Sequence, residues 1–246
     1  EHPDLLGDPE YVINEVGGFT VHRDGRRFYP VQVAEKGVAW LRLTVRGQPG
    51  HSSLPSRDNA VSRLARGIEA ISRARLPWHP SEEAHRFLAG FAKPRGFAAE
   101  KVASLLGHPL VGRFLLPLLV REPSRRASIE AILRNTATPT SLGSGGNINV
   151  LPGAASVDID GRLAPGQSTA DLVRELETVL RPVLGNEFSL TVLQDSPPVS
   201  FTTDTDLYRG IEAALDEADP DGHVVPSIIP GFTDSRNYAK LGAHCY

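Results

Sequence analysis

The sequence predicts a mixed fold in which an α/β unit is interrupted by an inserted α+β unit. Residues 39–46 and 155–163 alternate apolar and polar side chains, which is typical of strands with one buried face. Helical periodicity follows in residues 57–74 and again in residues 168–184. The order strand, helix, helical insert, strand, strand, helix, strand predicts a four-stranded antiparallel sheet with helices on one face.

The α/β unit is predicted at both ends of the sequence. Residues 11–14 form a short apolar strand, and residues 19–22 and 27–33 flank Asp24-Gly25, which is a strong hairpin-turn signal. Residues 203–246 are predicted to form a helix, a strand, a helix and a strand, an order typical of an α/β sheet. We therefore expect the two ends to belong to one domain.

Two short segments predict where the inserted unit begins and ends. Glu35-Lys36-Gly37 separates two predicted strands, and Asp195-Ser-Pro-Pro198 is interpreted as the return linker. The expected domains are 1–36 and 198–246 for the α/β unit and 37–197 for the inserted unit. Within the latter, residues 76–130 are predicted to be a helical insert. Its residues 81–122 are expected to be helical in two or three pieces, the first of them capped by Ser81.

Composition limits the classes of function. The 246 residues carry a formal net charge of -3, which argues against a nucleic-acid partner, and a hydrophobic content of 40% suffices for a core. No apolar run is long enough to cross a bilayer and none is typical of a secretory signal, so we expect a cytoplasmic protein without a membrane partner. The single cysteine, Cys245, excludes an internal disulfide.

The two ends of the sequence suggest an incomplete protein. The chain opens on Glu1, contains no methionine and stops at Tyr246 inside an apolar segment. We therefore expect this chain to be an interior piece of a longer protein.

The most informative segment is the glycine-rich loop that ends in His51. The stretch Gly47-Gln-Pro-Gly50-His51 lies between a predicted strand end and a predicted helix start. Binding and catalytic groups concentrate on loops that rigid elements hold in place. A lone loop histidine is more often an ordinary surface residue, so both interpretations stay open at this point.

Five further residues are candidates for a site. Glu15 follows an apolar strand, at the end that faces the usual ligand crevice of an α/β sheet. Asn149 follows a glycine turn, and its amide can both donate and accept. Arg162 stands in a predicted strand, and Arg236 follows a glycine-led loop in which Thr233 is a good helix N-cap. Guanidinium groups in such places can pair with a substrate carboxylate.

Each candidate also has a structural interpretation. Glu15 is then an exposed acid at a strand end, Arg162 pairs with Asp158 or Asp160, and Thr233 only caps a helix. The sequence by itself does not decide between these alternatives.

The ordered motifs resemble the zinc-dependent aminoacylase and carboxypeptidase family, and most closely its carboxypeptidase S-like branch. The segments that carry the resemblance are 11–18, 47–55, 134–140, 149–153, 158–166 and 230–236. The resemblance implies that part of an α/β catalytic domain carries an inserted ferredoxin-like lid, or dimerisation, domain. Compact members of the family lack a helical insert of the kind expected at 76–130.

The resemblance also implies a role for each candidate. Glu15 would ligate one of two zinc ions, with cobalt or manganese as alternatives, and His51 would donate a hydrogen bond to the reacting carbonyl oxygen. In dimeric members of the family the matching histidine reaches into the neighbouring subunit's site. The residues expected around the substrate's free carboxylate are Asn149, Arg162, Thr233 and Arg236.

We therefore expect a metal-dependent hydrolase that cleaves an amide or peptide bond next to a free carboxylate, in a dipeptide or an N-acyl amino acid. The upstream His, Asp and paired Glu residues of the family, and its last His, are not in this sequence, so activity is expected only in the longer protein. The alternative is a non-catalytic binding or dimerisation module. A chance match would instead leave Glu15 and Arg236 far apart.

Overall fold

A computed structural model describes residues 7–54, 56 and 58–246 of the chain. Residues 1–6 of the predicted first segment, Pro55 of the His51 loop motif and Arg57 of the predicted first helix lie outside this range. Within the described residues the elements are, in chain order, β1 (Tyr11–Val12), β2 (Val21–Arg23), β3 (Arg26–Glu35), β4 (Gly37–Arg46), β5 (Gly50–His51), α1 (Ala60–Arg73), α2 (Glu82–Ala92), α3 (Phe97–Leu106), α4 (Pro109–Leu119), α5 (Pro123–Leu133), β6 (Thr136–Ser144), β7 (Val150–Leu151), β8 (Ala154–Leu163), α6 (Thr169–Leu184), β9 (Phe188–Ser196), β10 (Val199–Ser200), α7 (Asp206–Ala218), β11 (Gly222–Ile229), α8 (Ser235–Ala239) and β12 (His244–Cys245).

The inserted unit contains the predicted four-stranded antiparallel sheet, in the order β6–β8–β4–β9. Side chains of β4 alternate, so that Leu41, Leu43 and Val45 are buried while Trp40 and Arg42 face outward. Helices α1 and α6 cover the buried face and share its apolar core. The prediction of a ferredoxin-like lid is confirmed.

Helix α6 follows the sequence signals closely, whereas the buried face of α1 differs slightly from expectation. Ser168 and Asp171 form a capping box at the start of α6. In α1 the apolar periodicity predicts a buried Val61, but that side chain is 45% exposed and Ala60 is buried in its place. The buried stripe therefore runs through Ala60, Leu64 and Ile71.

The two ends of the chain form an α/β part. β3 pairs in parallel with β11 and antiparallel with β10 and β2, while β1 pairs in parallel with β12. The β2–β3 hairpin turns at Asp24 and Gly25, which both have positive φ, as the Asp-Gly signal requires. Helix α7 packs Tyr208 against Val33 and Tyr246 in the core of this part.

The junction between the two parts is tight. Only Lys36 separates β3 from β4, and its N–H donates to the Ile229 carbonyl at 3.0 Å. At Gly37 a Cβ atom would lie 2.7 Å from both the Ser196 oxygen and the Pro198 nitrogen. The outgoing and returning chains therefore cross at a position where only glycine fits.

The helical insert is more extensive than predicted. Four α-helices and a 3₁₀ turn at Lys93–Arg95 occupy residues 82–133, whereas two or three pieces ending near residue 122 were expected. Helix α2 packs on β3 and β11, with the Phe28 and Phe91 rings 4.8 Å apart. The insert therefore contacts the α/β sheet directly.

The most apolar helices of the insert are α3 and α4. No single helix in the described ranges is long and apolar enough to cross a bilayer. Helices α3 and α4 together reach the required length and apolar composition, but the chain bends by 119° between them.

We expect Gly37→Ala to lower the free energy of unfolding by about 1–3 kcal/mol, because the added methyl group meets backbone atoms that cannot move aside. Gly210→Ala is the matched control, because Gly210 is exposed in α7 and its Cβ position is open. The control should raise stability by up to about 1 kcal/mol. Urea unfolding measures both, and equal effects of the two variants would contradict the tight crossing.

Candidate functional site

The pairing of β1 with β12 brings Glu15 to the loop that precedes α8. The Asn14 N–H donates to the Tyr246 carbonyl at 3.0 Å, and the Asp234 N–H donates to Glu15 Oε1 at 3.3 Å. Glu15 is exposed to solvent. The structure therefore places Glu15 against the segment that carries Thr233 and Arg236, which the chance-match interpretation did not expect.

A buried polar network holds this loop in place. The Thr233 N–H donates to both oxygens of Glu35 at 3.1 Å, and Glu35 is only 1% exposed. Asn14 Nδ2 donates to Thr233 Oγ1 at 2.8 Å and to Ser235 Oγ at 2.7 Å, while Asn14 Oδ1 accepts from the Glu15 N–H at 2.9 Å. Asn14 therefore links the backbone of Glu15 to the loop before α8.

Thr233 takes part in this network rather than facing solvent. It is buried, and its hydroxyl group donates to Glu35. The N-cap position of α8 is Asp234, so the cap predicted at Thr233 is wrong by one residue, although Thr233 Oγ1 accepts from the Ser235 N–H at 3.1 Å. Contact between Thr233 and a substrate stays a prediction.

Arg162 and Arg236 meet on one aromatic ring. The Arg236 guanidinium lies 4.1 Å from the Phe232 ring centroid, and the Arg162 guanidinium lies 5.6 Å from it. Arg162 also forms a bidentate pair with Asp160, at 2.8 and 3.0 Å, so the structural alternative for Arg162 is realised. The lid sheet and the α/β part thus each contribute one guanidinium group to the ring of Phe232.

Lys36 lies near enough to Arg162 for their charges to interact, and no functional signal in the sequence selects it. Lys36 is 2% exposed, and its Nζ donates to the Ala131 carbonyl at 2.6 Å and to the Arg134 carbonyl at 2.8 Å. Burial, together with the smaller effect of the positive charges of Arg162 and Arg134, lowers its pKa to about 7. One feature of the sequence could have indicated its burial. Lys36 comes at the end of an apolar strand, and no turn residue separates it from that strand.

His51 and Asn149 lie side by side on the lid. The short strands β5 and β7 pair His51 with Val150, and the Ser52 N–H donates to the Asn149 carbonyl at 3.0 Å. The Ser53 N–H donates to His51 Nδ1 at 3.2 Å, so in the neutral ring the proton lies on Nε2. Both candidate side chains are exposed, and His51 Nε2 contacts no hydrogen-bond partner within the described part of the chain.

The six candidates therefore form two groups at opposite ends of the lid sheet. β8 begins at Ala154, beside the loop of His51 and Asn149, and reaches Arg162 eight residues later. At about 3.3 Å per residue this separation is about 26 Å. Within one chain the structure brings Glu15, Thr233, Arg162 and Arg236 together and keeps His51 and Asn149 apart from them.

The residues of this chain do not by themselves fit a complete metal centre. Across the ranges that the structure describes, no group of three or more His, Cys, Asp or Glu side chains is placed to hold a metal ion. Glu15 supplies one exposed carboxylate, whereas a structural or catalytic zinc ion takes three or four protein ligands. Glu15 is therefore at most a single ligand.

Comparison with known families identifies the class of protein. Residues 33–187 match the family model of the peptidase dimerisation domain, M20_dimer. This match covers more than half of the chain, and the chain belongs to the M20 peptidase family.

Curated relatives agree with the carboxypeptidase S-like branch. "Probable carboxypeptidase S-like 2" of Dictyostelium discoideum is 28% identical over 213 residues, covering 86% of this chain and 39% of that protein. "N-fatty-acyl-amino acid synthase/hydrolase PM20D1" of Mus musculus is 27% identical over 223 residues, covering 86% of this chain and 41% of that protein. The chain thus spans about two fifths of the length of the curated relatives it matches.

Solved structures share the fold. Human carnosine dipeptidase 1 superposes with a TM-score of 0.54 at 11% identity, covering 87% of this chain and 48% of the other. The M20 family metallo-carboxypeptidase Sso-CP2 of Sulfolobus solfataricus gives a TM-score of 0.50 at 18% identity, covering 87% of this chain and 50% of the other. At these identities the likeness establishes architecture only.

Lys36 generates a prediction about pH. Its pKa is about 7 in the folded chain and 10.5 in the unfolded chain, so between these values only the unfolded chain binds the proton. The free energy of unfolding therefore rises with pH across that window, by up to about 1.4 kcal/mol per pH unit. Lys36→Met should remove this slope. Urea unfolding measures the slope between about pH 7.5 and 9.5, which lies inside the window.

The matched control for this prediction is Lys101→Met, which replaces an exposed lysine of α3. The control should keep the parental slope. A slope that Lys36→Met leaves unchanged would show that Lys36 stays charged in the folded chain.

Proposed function

We propose that the full-length protein hydrolyses an amide or peptide bond next to a free carboxylate, in a dipeptide or an N-acyl amino acid. Membership of the M20 peptidase family supports a hydrolase, and the relatives are named as carboxypeptidases and as an N-fatty-acyl-amino acid synthase/hydrolase. The whole protein's activity is a proposal, because this chain matches only about two fifths of such proteins. A cytoplasmic location also stays a prediction.

The observation that carries the proposal is the pair of guanidinium groups on Phe232, beside Glu15. Arg162 is already paired with Asp160, while Arg236 has no salt bridge within the described ranges. Arg236 is therefore the group that we assign to the substrate carboxylate, with Arg162 adding positive charge nearby. The buried Glu35–Thr233 contact fixes the loop that presents Arg236.

Glu15 is proposed as one ligand of the metal centre. Its backbone is fixed by Asn14, and its carboxylate is exposed next to the loop of Arg236. We propose zinc as the ion, with cobalt or manganese as alternatives, and expect the remaining ligands from parts of the protein outside this chain.

His51 is proposed to donate a hydrogen bond to the carbonyl oxygen as that oxygen gains negative charge. The Nε2–H is oriented outward because the backbone of Ser53 donates to Nδ1. The separation of about 26 Å along β8 favours a role in the site of a second subunit rather than in the site of the same chain. Asn149, on the neighbouring strand, would contact the same substrate, and the lid would form the homodimer.

The alternative is a non-catalytic dimerisation module. The match of residues 33–187 to a dimerisation domain favours it, because that domain accounts for most of the chain. The two proposals differ in whether the full-length protein hydrolyses anything.

We expect the full-length protein, supplied with zinc, to hydrolyse dipeptides or N-acyl amino acids and to reject the corresponding carboxamides. Loss of the carboxylate removes a bidentate charged partner of Arg236, so kcat/KM should fall by at least about 100-fold. A chelator should abolish activity, and added metal should restore it. If the full-length protein hydrolyses none of these compounds, the hydrolase proposal is wrong and the non-catalytic dimerisation module is the proposal that stands.

His51→Ala should lower kcat by about 10²–10³-fold with little change in KM, the size found for removal of an oxyanion donor. His108→Asn is the matched control, because His108 is exposed and only caps α4. A kcat of His51→Ala close to the parental value would remove the assignment.

Mixing two inactive variants tests the subunit that supplies His51. His51→Ala and Glu15→Ala protomers, refolded or exchanged together at equal concentration, should recover about a quarter of the parental activity, because half the dimers are mixed and each mixed dimer has one intact site. If His51 acts within its own chain, no activity returns.

A further inference from the structure

Helices α3 and α4 of the insert expose an unusual number of large apolar side chains. Of the twenty such side chains that are exposed in the described ranges, eight fall within residues 97–119. Single apolar residues scattered over a surface need no explanation, whereas a contiguous group of them marks a place where a partner or a lipid surface binds. The face that these two helices present to solvent is therefore a candidate interaction surface.

The exposed side chains of α4 form one stripe along the helix. Leu110, Phe114 and Leu118 recur at every fourth residue, which places them on the same side of the helix, and they are 69%, 66% and 73% exposed. Gly112 and Leu116 lie on the other side and are buried. Helix α4 is thus apolar on two sides but packs against the protein on only one.

The angle between α3 and α4 keeps their apolar stripes apart. A Cβ atom at Gly112 would lie 2.0 Å from the Leu106 carbonyl oxygen, so α4 packs directly on the end of α3. The chain bends by 119° between the two helices. Phe97 and Leu105 on α3 stay 74% and 46% exposed, which shows that neither helix covers the stripe of the other.

Positive charge accompanies this apolar face. Lys101 Nζ lies 5.3 Å from the Phe97 ring centroid, and the Arg113 guanidinium lies 4.7 Å from that of Phe114. Neither cation forms a salt bridge within the described ranges, although other cations of the insert do. Residues 93–121 contain five basic residues and a single acidic one, whereas the whole chain has a net charge of -3. The exposed stripes therefore lie in a basic region of an acidic chain.

We propose that α3 and α4 attach the protein to the surface of an anionic phospholipid bilayer. The apolar stripes enter the boundary between head groups and acyl chains, while Lys101 and Arg113 extend their charged ends to the phosphate groups. Positive charge around an apolar face favours lipid over a further apolar protein surface, because an anionic bilayer offers hydrocarbon and phosphate at adjacent depths. The inference goes beyond the proposed hydrolysis and does not depend on it.

This proposal departs from the prediction of a protein without a membrane partner. That prediction rested on the length of apolar runs in the sequence, which tests whether a segment can cross a bilayer. Attachment at the bilayer surface needs only an apolar face of moderate size and nearby positive charge.

Vesicle sedimentation of the full-length protein is the first measurement. We expect it to bind phosphatidylcholine vesicles containing about one third phosphatidylserine at least about 10-fold more tightly than pure phosphatidylcholine, because each basic residue near an anionic surface contributes about fivefold. High salt should reduce this difference. If the protein does not bind the anionic vesicles, the proposal is overturned, and a protein surface from the same chain or a second copy covers the stripes instead.

Substitutions on α4 locate the contact. Leu110→Gln combined with Phe114→Gln should weaken binding to the anionic vesicles at least about 10-fold, because two apolar side chains no longer enter the bilayer. Leu142→Gln is the matched control, because Leu142 is 71% exposed on β6 of the lid and should bind as the parent does. Parental binding by the double variant would contradict the proposal.

A tryptophan at residue 114 reports directly on entry into the bilayer. Emission of the Phe114→Trp protein should shift to shorter wavelength when anionic vesicles are added and should be quenched by brominated lipid. Leu142→Trp should show neither change beyond the parental signal. A Phe114→Trp protein that sediments with vesicles but shows no shift would place the contact elsewhere and overturn the proposal. None of these measurements requires hydrolysis, so failure of the proposed function would leave them unaffected.

Discussion

The contact between Glu35 and the backbone of Thr233 is the interaction on which the rest of the arrangement depends. Glu35 ends the central strand of the α/β sheet two residues before the lid begins at Gly37, and it accepts the Thr233 N–H with both oxygens. A buried carboxylate is costly unless it is fully hydrogen-bonded, and here Gln32 and Thr233 supply the donors. The same residue thus fixes the α8 loop and the point from which the lid leaves.

Local signals explain how much of the fold could be predicted. The Asp24-Gly25 turn, the Ser168–Asp171 capping box and the alternation in β4 all act within a few residues, so they are visible in the sequence. The packing of α2 on β11 is not visible in this way, because an apolar periodicity shows that a helix has a buried face but not which surface covers it.

Some residues of the candidate site could be predicted from the sequence, and others could not because their role depends on contacts between distant segments. Residue type and order sufficed to select Glu15 and Arg236, and the structure places Glu15 against the loop that leads to Arg236. Phe232 lay inside a selected motif without being assigned, and Glu35 and Lys36 were interpreted only as a boundary, because two charged residues in a row are usually solvent-exposed. Their burial depends on the crossing of two distant chain segments at Gly37.

The pairing of β1 with β12 has a consequence for biosynthesis. These strands are about 230 residues apart in sequence, so closing the loop between them carries a large entropic penalty and must await translation of β12. The lid sheet and its two helices are contiguous apart from the insert, and they can assemble on the ribosome beforehand. The α/β part is therefore the late-folding portion, and β1 lacks its pairing strand until β12 has been translated.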